Sequence, residues 1–259
     1  MPIGAFQREV LGLLAANRSP DSYVAGATLL HSTPGAPRFS QGIDLFHDEP
    51  PSVEASFSAD ATILRRSGFK VEPVGRLTTT FRRALVQRRE QQTKIEWAVD
   101  SAFRFFPVER DADFGWRLNF WDAATNKVLA LVGRQTVRDY LDCLYLHEQH
   151  LHFGALAWAA AGKDPGLSPE MIVDWAARGN RFRHEDLAEV RLEKPVDLRQ
   201  AKRIWLLALA DARDWIARLP PTEAGCLYLD ARGLPVFLQP ESPDFPNLTG
   251  HFGSLKGVS

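Results

Sequence analysis

One acidic residue inside an apolar strand constrains this chain more than any other feature. Between Tyr23 and Glu49 the sequence reads YVAGATLLHSTPGAPRFSQGIDLFHDE. A small-residue turn, Gly26-Ala27-Thr28, opens an apolar segment; an Arg-x-Ser step follows at Arg38 and Ser40; Asp44 then sits between Ile43 and Leu45-Phe46. A carboxylate flanked by Ile, Leu and Phe at strand spacing is expensive to bury without a partner. Asp44 is therefore expected to point into a site that supplies a cation or a hydrogen-bond donor.

The rest of the chain must build a scaffold for that acid. With 259 residues there is material for one large domain or two modest ones. Lys and Arg total 31 against 32 Asp and Glu, so no global charge draws the chain to nucleic acid or membrane, and an anionic partner needs a local patch. Cys143 and Cys226 lie far apart and offer no disulfide framework, which fits a reducing cytoplasm. No signal pattern opens the chain and no apolar run reaches the roughly 18 residues that span a bilayer. The expected location is cytoplasmic, with no membrane partner.

Taken in order, Phe6, Val10, Leu13 and Leu14 predict an amphipathic helix over Phe6 to Asn17. Ser22 to Ala25 reads as a short buried segment, and Ser32 to Pro37 as a loop that lets Arg38 to Phe46 return as a neighbouring strand. Pro50-Pro51 closes that strand, and a helix runs over Ser52 to Ser67. Phe69 to Val74, Leu77 to Val86 and Thr93 to Val99 carry strand character, the last containing Glu96 as a candidate third carboxylate. Trp116 to Trp121 adds a short strand. Helices follow: one capped by Asp122 and carrying Lys127 and Arg134, one carrying Arg138 and Asp142, then Phe153 to Ala161, Ser168 to Arg178 and Leu198 to Leu219. Cys226 to Asp230 and Leu234 to Leu238 predict a terminal hairpin, followed by a Pro/Gly-rich tail. The fold class is α/β (α+β), a mixed sheet with flanking helices followed by a helical C-terminal half. The expected divisions are 1–121, 122–219 and 220–259.

Two separated motifs carry a resemblance. Gly26-Ala27-Thr28 followed by Arg38-Phe39-Ser40-Gln41-Gly42-Ile43-Asp44-Leu45-Phe46 resembles the opening signature of the nucleotidyltransferase-like AbiEii/AbiGii toxin family. About 80 residues on, Asn126-Lys127-Val128-Leu129-Ala130-Leu131, Arg134 and Arg138-Asp139-Tyr140-Leu141-Asp142 resemble its Lys-x-x-Ala-Leu and Arg-Asp-x-x-Asp helices. Two departures stand out: Gly42 replaces the first aspartate of the Asp-x-Asp pair, and Ala27 the second small residue of the turn. The resemblance implies transfer of a nucleotide from an NTP, with Mg²⁺ (or Mn²⁺), to tRNA or a protein hydroxyl, under restraint by a cognate antitoxin.

Nucleotidyl transfer is commonly served by two divalent ions about 4 Å apart, held by three carboxylates, two of them at i and i+2 on one strand. Here that pair would be positions 42 and 44. Three readings follow: Asp44 and Glu96 hold a single ion, with the triphosphate completing its shell; Asp48 or Glu49 replaces the missing acid; or the fold persists as a nucleotide-, RNA- or protein-binding module without catalysis. Lys127 is a candidate triphosphate contact, because a lysine in an apolar helix must reach an anion or solvent. Asp139 and Asp142 resemble family positions, Asp142 being equally placed to pair with Arg138. Gly26, Ala27 and Thr28 are candidates for a phosphate cradle, Thr28 reading equally as a helix cap, with Ser40 beside them. Arg82, Arg83, Arg88 and Arg89 form the one clear basic run, suited to an RNA backbone or to a solvated strand edge. Cys143, His147, His150 and His152 invite a zinc reading that their register supports poorly.

Overall fold

The computed structural model describes residues 3–32, 35–76 and 78–258. In chain order it runs α1 (Ala5–Leu14), β1 (Ser22–Ala25), α2 (Gly26–Leu30), β2 (Gly42–His47), α3 (Pro50–Arg66), β3 (Lys70–Pro73), β4 (Phe81–Arg88), β5 (Gln91–Val99), β6 (Phe103–Arg104), β7 (Glu109–Asp111) and β8 (Gly115–Arg117). Then come α4 (Phe120–Arg134), α5 (Val137–Gln149), α6 (Phe153–Ala161), α7 (Pro169–Ala176), α8 (Leu198–Ile216), β9 (Cys226–Leu229), β10 (Thr249–Phe252) and β11 (Ser254–Leu255). Two compact units result: Met1–Ala102 with Pro107–Ala123, and Phe103–Phe106 with Ala124–Ser259.

The first unit is built on a mixed sheet in the order β3-β4-β5-β2-β1-β8-β7. Strands β2 and β5 run parallel at its centre, while β1 and β4 flank them antiparallel. Strand alternation sends Ile43, Leu45, Ile95, Trp97, Ala84 and Val86 to one face, where Val10, Leu11 and Leu14 of α1 and Val53, Ala61 and Leu64 of α3 complete a buried core. The residues between them, Gly42, Asp44, Lys94, Glu96 and Arg83, face the other way. The sheet thus has an apolar back and a polar front.

The second unit centres on α6, whose sequence FGALAWAAA is apolar all round and buried from Phe153 to Ala160. Trp205 of α8 packs on Phe153 at 4.5 Å and Trp215 on Trp158 at 6.2 Å between ring centroids. Their indole N–H groups donate to the carbonyls of Ala176 and Leu238, so each large ring is buried with its polar edge satisfied.

Several boundaries differ from the sequence reading. Pro50 and Pro51 open α3 rather than close the preceding strand, since proline is welcome where a helical N–H has no partner. Within Trp116 to Trp121 only Gly115–Arg117 is strand; Asn119 Oδ1 accepts the Trp121 N–H and starts α4, leaving Asp122 inside the first turn instead of at the cap. The expected terminal hairpin partner of β9 is replaced by β10, because Pro235 lacks the N–H a ladder needs and only an isolated bridge joins it to Leu229. Thr33 and Pro34 of the expected loop, and Leu77 of the expected strand, lie outside the described residues. No helix among the described residues is long and apolar enough to cross a membrane.

Candidate active site

On the polar front of the first unit, the parallel register pairs Gly42 with Lys94 and Asp44 with Glu96, and the antiparallel register sets Arg83 opposite Glu96. Asp44, Glu96 and Arg83 therefore form a row across β2, β5 and β4. The Glu96 Oε1 atom receives Lys94 Nζ at 2.9 Å and the Arg83 Nε and Nη2 atoms at 2.8 Å. Burial would raise the Glu96 carboxyl, but Lys94 and then Arg83 outweigh it and hold it below its ordinary value.

Asp44 lies against the start of α2. Gly26 has φ +63°, and a Cβ there would stand 2.1 Å from Asp44 Oδ2, so only glycine lets the turn close on the carboxylate. This is the observed content of the small-residue motif: Gly26 is fixed by Asp44. Ala27 follows in the first turn, its carbonyl accepting from the His31 N–H. Thr28 is neither cap nor exposed hydroxyl. Its Oγ1 donates to the Gly42 carbonyl at 2.8 Å and the Ser40 Oγ donates to the same oxygen at 2.6 Å, both side chains being buried. These two hydroxyls tie α2 and the entering loop to β2.

Gly42 is more than a missing acid. A Cβ built there would lie 2.9 Å from the Lys94 carbonyl oxygen and 3.1 Å from Lys94 Cε. Backbone and side chain of β5 already fill the place of a side chain at 42. A two-ion site therefore does not fit this donor set, and among the described residues no three His, Cys, Asp or Glu side chains gather as a metal-holding set. Asp44 and Glu96 are left as the two acids in register on this face. Of the two acids read as alternative substitutes, Asp48 accepts from the Tyr23 hydroxyl at 3.1 Å, while Glu49 is the N-cap position of α3.

The cations of the basic run are mostly paired. Strand β4 is interior to the sheet, Arg82 pairs with Glu54, Arg83 with Glu96, and Arg88 with Glu9 at 2.5 and 2.7 Å, while Arg89 occupies the left-handed turn before β5. Its alternate members point to opposite faces, and three of its four cations face a carboxylate.

The second unit holds a separate buried cluster. Lys127 Nζ of α4 lies 2.9 Å from Asp139 and 3.1 Å from Asp142, both on α5. Asp142 thus answers Lys127. Arg134 and the N-cap Thr136 also donate to Asp139, at 2.7 Å each. Burial would raise Asp139, but Lys127, Arg134 and Thr136 together bring it down to about 2. The anion that a lysine in an apolar helix requires is thus supplied by the protein itself. The zinc reading fails on tautomers: His147 Nδ1 accepts the Phe153 N–H and His152 Nδ1 the Gly154 N–H, which leaves the proton of each neutral ring on Nε2. Burial, and then Asp139, keeps Cys143 a thiol.

Sequence reasoning named Asp44 and Glu96 as candidates and did not single out Lys94, which the structure sets beside them. The signal was present in Thr93-Lys94-Ile95-Glu96, whose alternation puts Lys94 and Glu96 on one face; what was missing was the register that brings Lys94 to position 42.

A mixed sheet whose central parallel strands present adjacent carboxylates beside a glycine turn defines a nucleotidyltransferase-type fold. The chain belongs to the nucleotidyl transferase AbiEii toxin family of type IV toxin–antitoxin systems, whose match spans residues 12–220. Among solved structures it is similar to MenT4, a nucleotidyltransferase toxin of Mycobacterium tuberculosis H37Rv, with TM-score 0.60 and 17% identity over 81% of this chain and 82% of that one. It is also similar to a candidate nucleotidyltransferase of H. pylori, with TM-score 0.51 and 16% identity over 83% and 97%. At these identities the likeness describes the fold. No curated protein sequence matches the chain.

Proposed function

We propose that this chain is an NTP-dependent nucleotidyltransferase toxin of the cytoplasm, acting on an RNA hydroxyl, with tRNA the favoured acceptor, or on a protein hydroxyl. The observation that carries the reading is Asp44 seated in register with Glu96 and closed over by the Gly26 turn. In the reaction the acceptor hydroxyl oxygen attacks the α-phosphorus and gives up its proton to water, the bond from that phosphorus to the oxygen bridging to the β-phosphate breaks, and pyrophosphate leaves. Asp44 and Glu96 would hold one Mg²⁺ or Mn²⁺, which neutralises triphosphate charge. The backbone of Gly26 and Ala27 is assigned to the phosphates, with Thr28 and Ser40 fixing that backbone. Lys127, a catalytic candidate by its family resemblance, is here the buried partner of Asp139 and Asp142 within the second unit, and these three residues are assigned to holding α4 on α5. Family membership supports a cognate antitoxin as partner.

The closure of β5 on Gly42 favours a second reading, a nucleotide- or RNA-binding module without chemistry. One experiment separates the two. The protein is incubated with Mg²⁺ or Mn²⁺, each labelled NTP and total tRNA, with Asp44→Ala as control. Label on RNA or on protein that disappears in Asp44→Ala establishes transfer. NTP binding without label transfer from any NTP leaves the binding module.

A further inference from the structure

Position 42 sits where a nucleotidyltransferase of the two-ion kind would present an acid, and here it presents neither a ligand nor room for one. The cross-strand neighbour in register with it is a lysine, and that lysine is not loose. Lys94 Nζ is fixed at 2.9 Å from Glu96 Oε1, on the oxygen that Arg83 also reaches. Unlike a structural ion pair, the group stays open: the Lys94 and Arg83 side chains are 38% and 39% exposed and Glu96 19%.

The charges decide what such a face can accept. Asp44 and Glu96 are matched one for one by Lys94 and Arg83. A second divalent ion close to these two cations is opposed by their charge. A triphosphate is attracted by the same two cations. Lysine is suited to this role as a compact point charge with three donors, and arginine as a fork for phosphate oxygens.

We propose that Lys94, positioned by Glu96 and accompanied by Arg83, is the phosphate-binding cation of this site, standing where other enzymes of this chemistry place a metal ion. The site then binds a nucleoside triphosphate with one divalent ion at most. This rests on the nucleotidyltransferase reading and narrows it, since the phosphate charge met by a second ion elsewhere is met here by the protein.

The test uses the whole chain and a fluorescent, non-hydrolysable α,β-methylene NTP, titrated by anisotropy in EDTA and again in Mn²⁺, with bound Mn²⁺ per nucleotide counted by electron paramagnetic resonance. The expected result is measurable binding in EDTA, one Mn²⁺ per bound nucleotide, and a loss of about 10- to 100-fold in EDTA for Lys94→Ala, the span of a charge-assisted hydrogen bond. Lys94→Arg, which keeps the charge, recovers most of the affinity, and the urea midpoint of both variants stays at the wild-type value. Two Mn²⁺ per nucleotide, or Lys94→Ala binding as well as wild type, overturns the proposal while leaving the transferase reading intact. Absence of binding by the wild type both in EDTA and in Mn²⁺ overturns the transferase reading and this proposal together.

Discussion

Two ionic clusters lie on opposite faces of β5, one buried and one open, and their difference separates what holds the first unit together from what it exposes. Glu96 faces the polar front and gathers Lys94 and Arg83. Trp97, the next residue, faces the core and donates its indole N–H at 2.8 Å to Asp60, which also receives Arg18 at 2.6 Å on both carboxylate oxygens and Asn17 at 2.8 Å. Each cluster places one carboxylate among several donors. The core pair is 1% and 0% exposed and its carboxylate is surrounded; the front row is open and both its cations meet on a single oxygen. A buried pair is costly to break because the surviving charge stays buried, whereas an open pair contributes little to stability and remains available to another anion. Two consecutive residues of one strand, Glu96 and Trp97, thus take part in an open ionic group on one face and a buried one on the other.

The largest effect should come from breaking the core cluster. Asp60→Asn leaves the Arg18 guanidinium buried without its counter-charge, and the free energy of unfolding of the first unit should fall by about 3–5 kcal/mol in urea titrations. A loss below about 1 kcal/mol would show that Arg18 finds another partner and would erase the contrast. Next in size is a pH effect on the same face. Burial, and then the charge of Arg18, lowers His47 from 6.5 to about 4, while its Nε2 stands 3.1 Å from Ser22 Oγ, to which Arg18 donates. As pH falls through 6.5 the unfolded chain takes up a proton that the folded chain refuses. Stability therefore decreases with falling pH down to about 4, by about 3 kcal/mol at most. His47→Gln should flatten unfolding free energies measured between pH 7 and 4.5; an unchanged slope would assign the pH response to other groups.

How much of this was legible beforehand follows from what each signal depends on. The helices α6 and α8 and the strands β1, β2 and β5 were readable because periodicity and burial are local properties, and Asp44 stood out because an acid among Ile, Leu and Phe violates that local pattern. The Arg18–Asp60–Trp97 cluster was not readable: its members are separated by 42 and 37 residues and meet only when α3 packs on the sheet. The front row was half readable, since alternation gave the shared face of Lys94 and Glu96, but pairing with Gly42 and Arg83 is a matter of register between strands. The arrangement of the basic run was not readable either, because neighbours in a strand point opposite ways and its carboxylate partners are distant in sequence.

A smaller effect sharpens the contrast at its hinge, the Gly26 turn. Gly26→Ala puts a Cβ at φ +63° and 2.1 Å from Asp44 Oδ2. The backbone penalty is about 1–2 kcal/mol, modest beside that of Asp60→Asn. Displacing Asp44 should cost far more in function, a misplacement of about 1 Å being worth about 100-fold in rate. Comparing urea stability with label transfer for this one variant therefore reads fold and site separately. Equal proportional losses in both would mean that Asp44 serves the fold alone.

The smallest expected effect is the most discriminating. Glu96→Gln removes the charge of the front carboxylate, keeps its shape, and leaves Lys94 and Arg83 with a neutral oxygen. Because these side chains reach water, solvent replaces most of the lost interaction, and the unfolding free energy should move by less than about 1 kcal/mol. Asp60 and Glu96, carboxylates at the two faces of one strand, would then differ severalfold in the stability lost on neutralisation. Transfer activity should respond in the opposite order, falling more for Glu96→Gln than its stability does, because Lys94 loses the anchor that sets its direction. A stability loss above about 2 kcal/mol would class Glu96 with Asp60 as a carboxylate of the fold. The open row would then be structural, and Lys94 would lose the anchoring role assigned to Glu96.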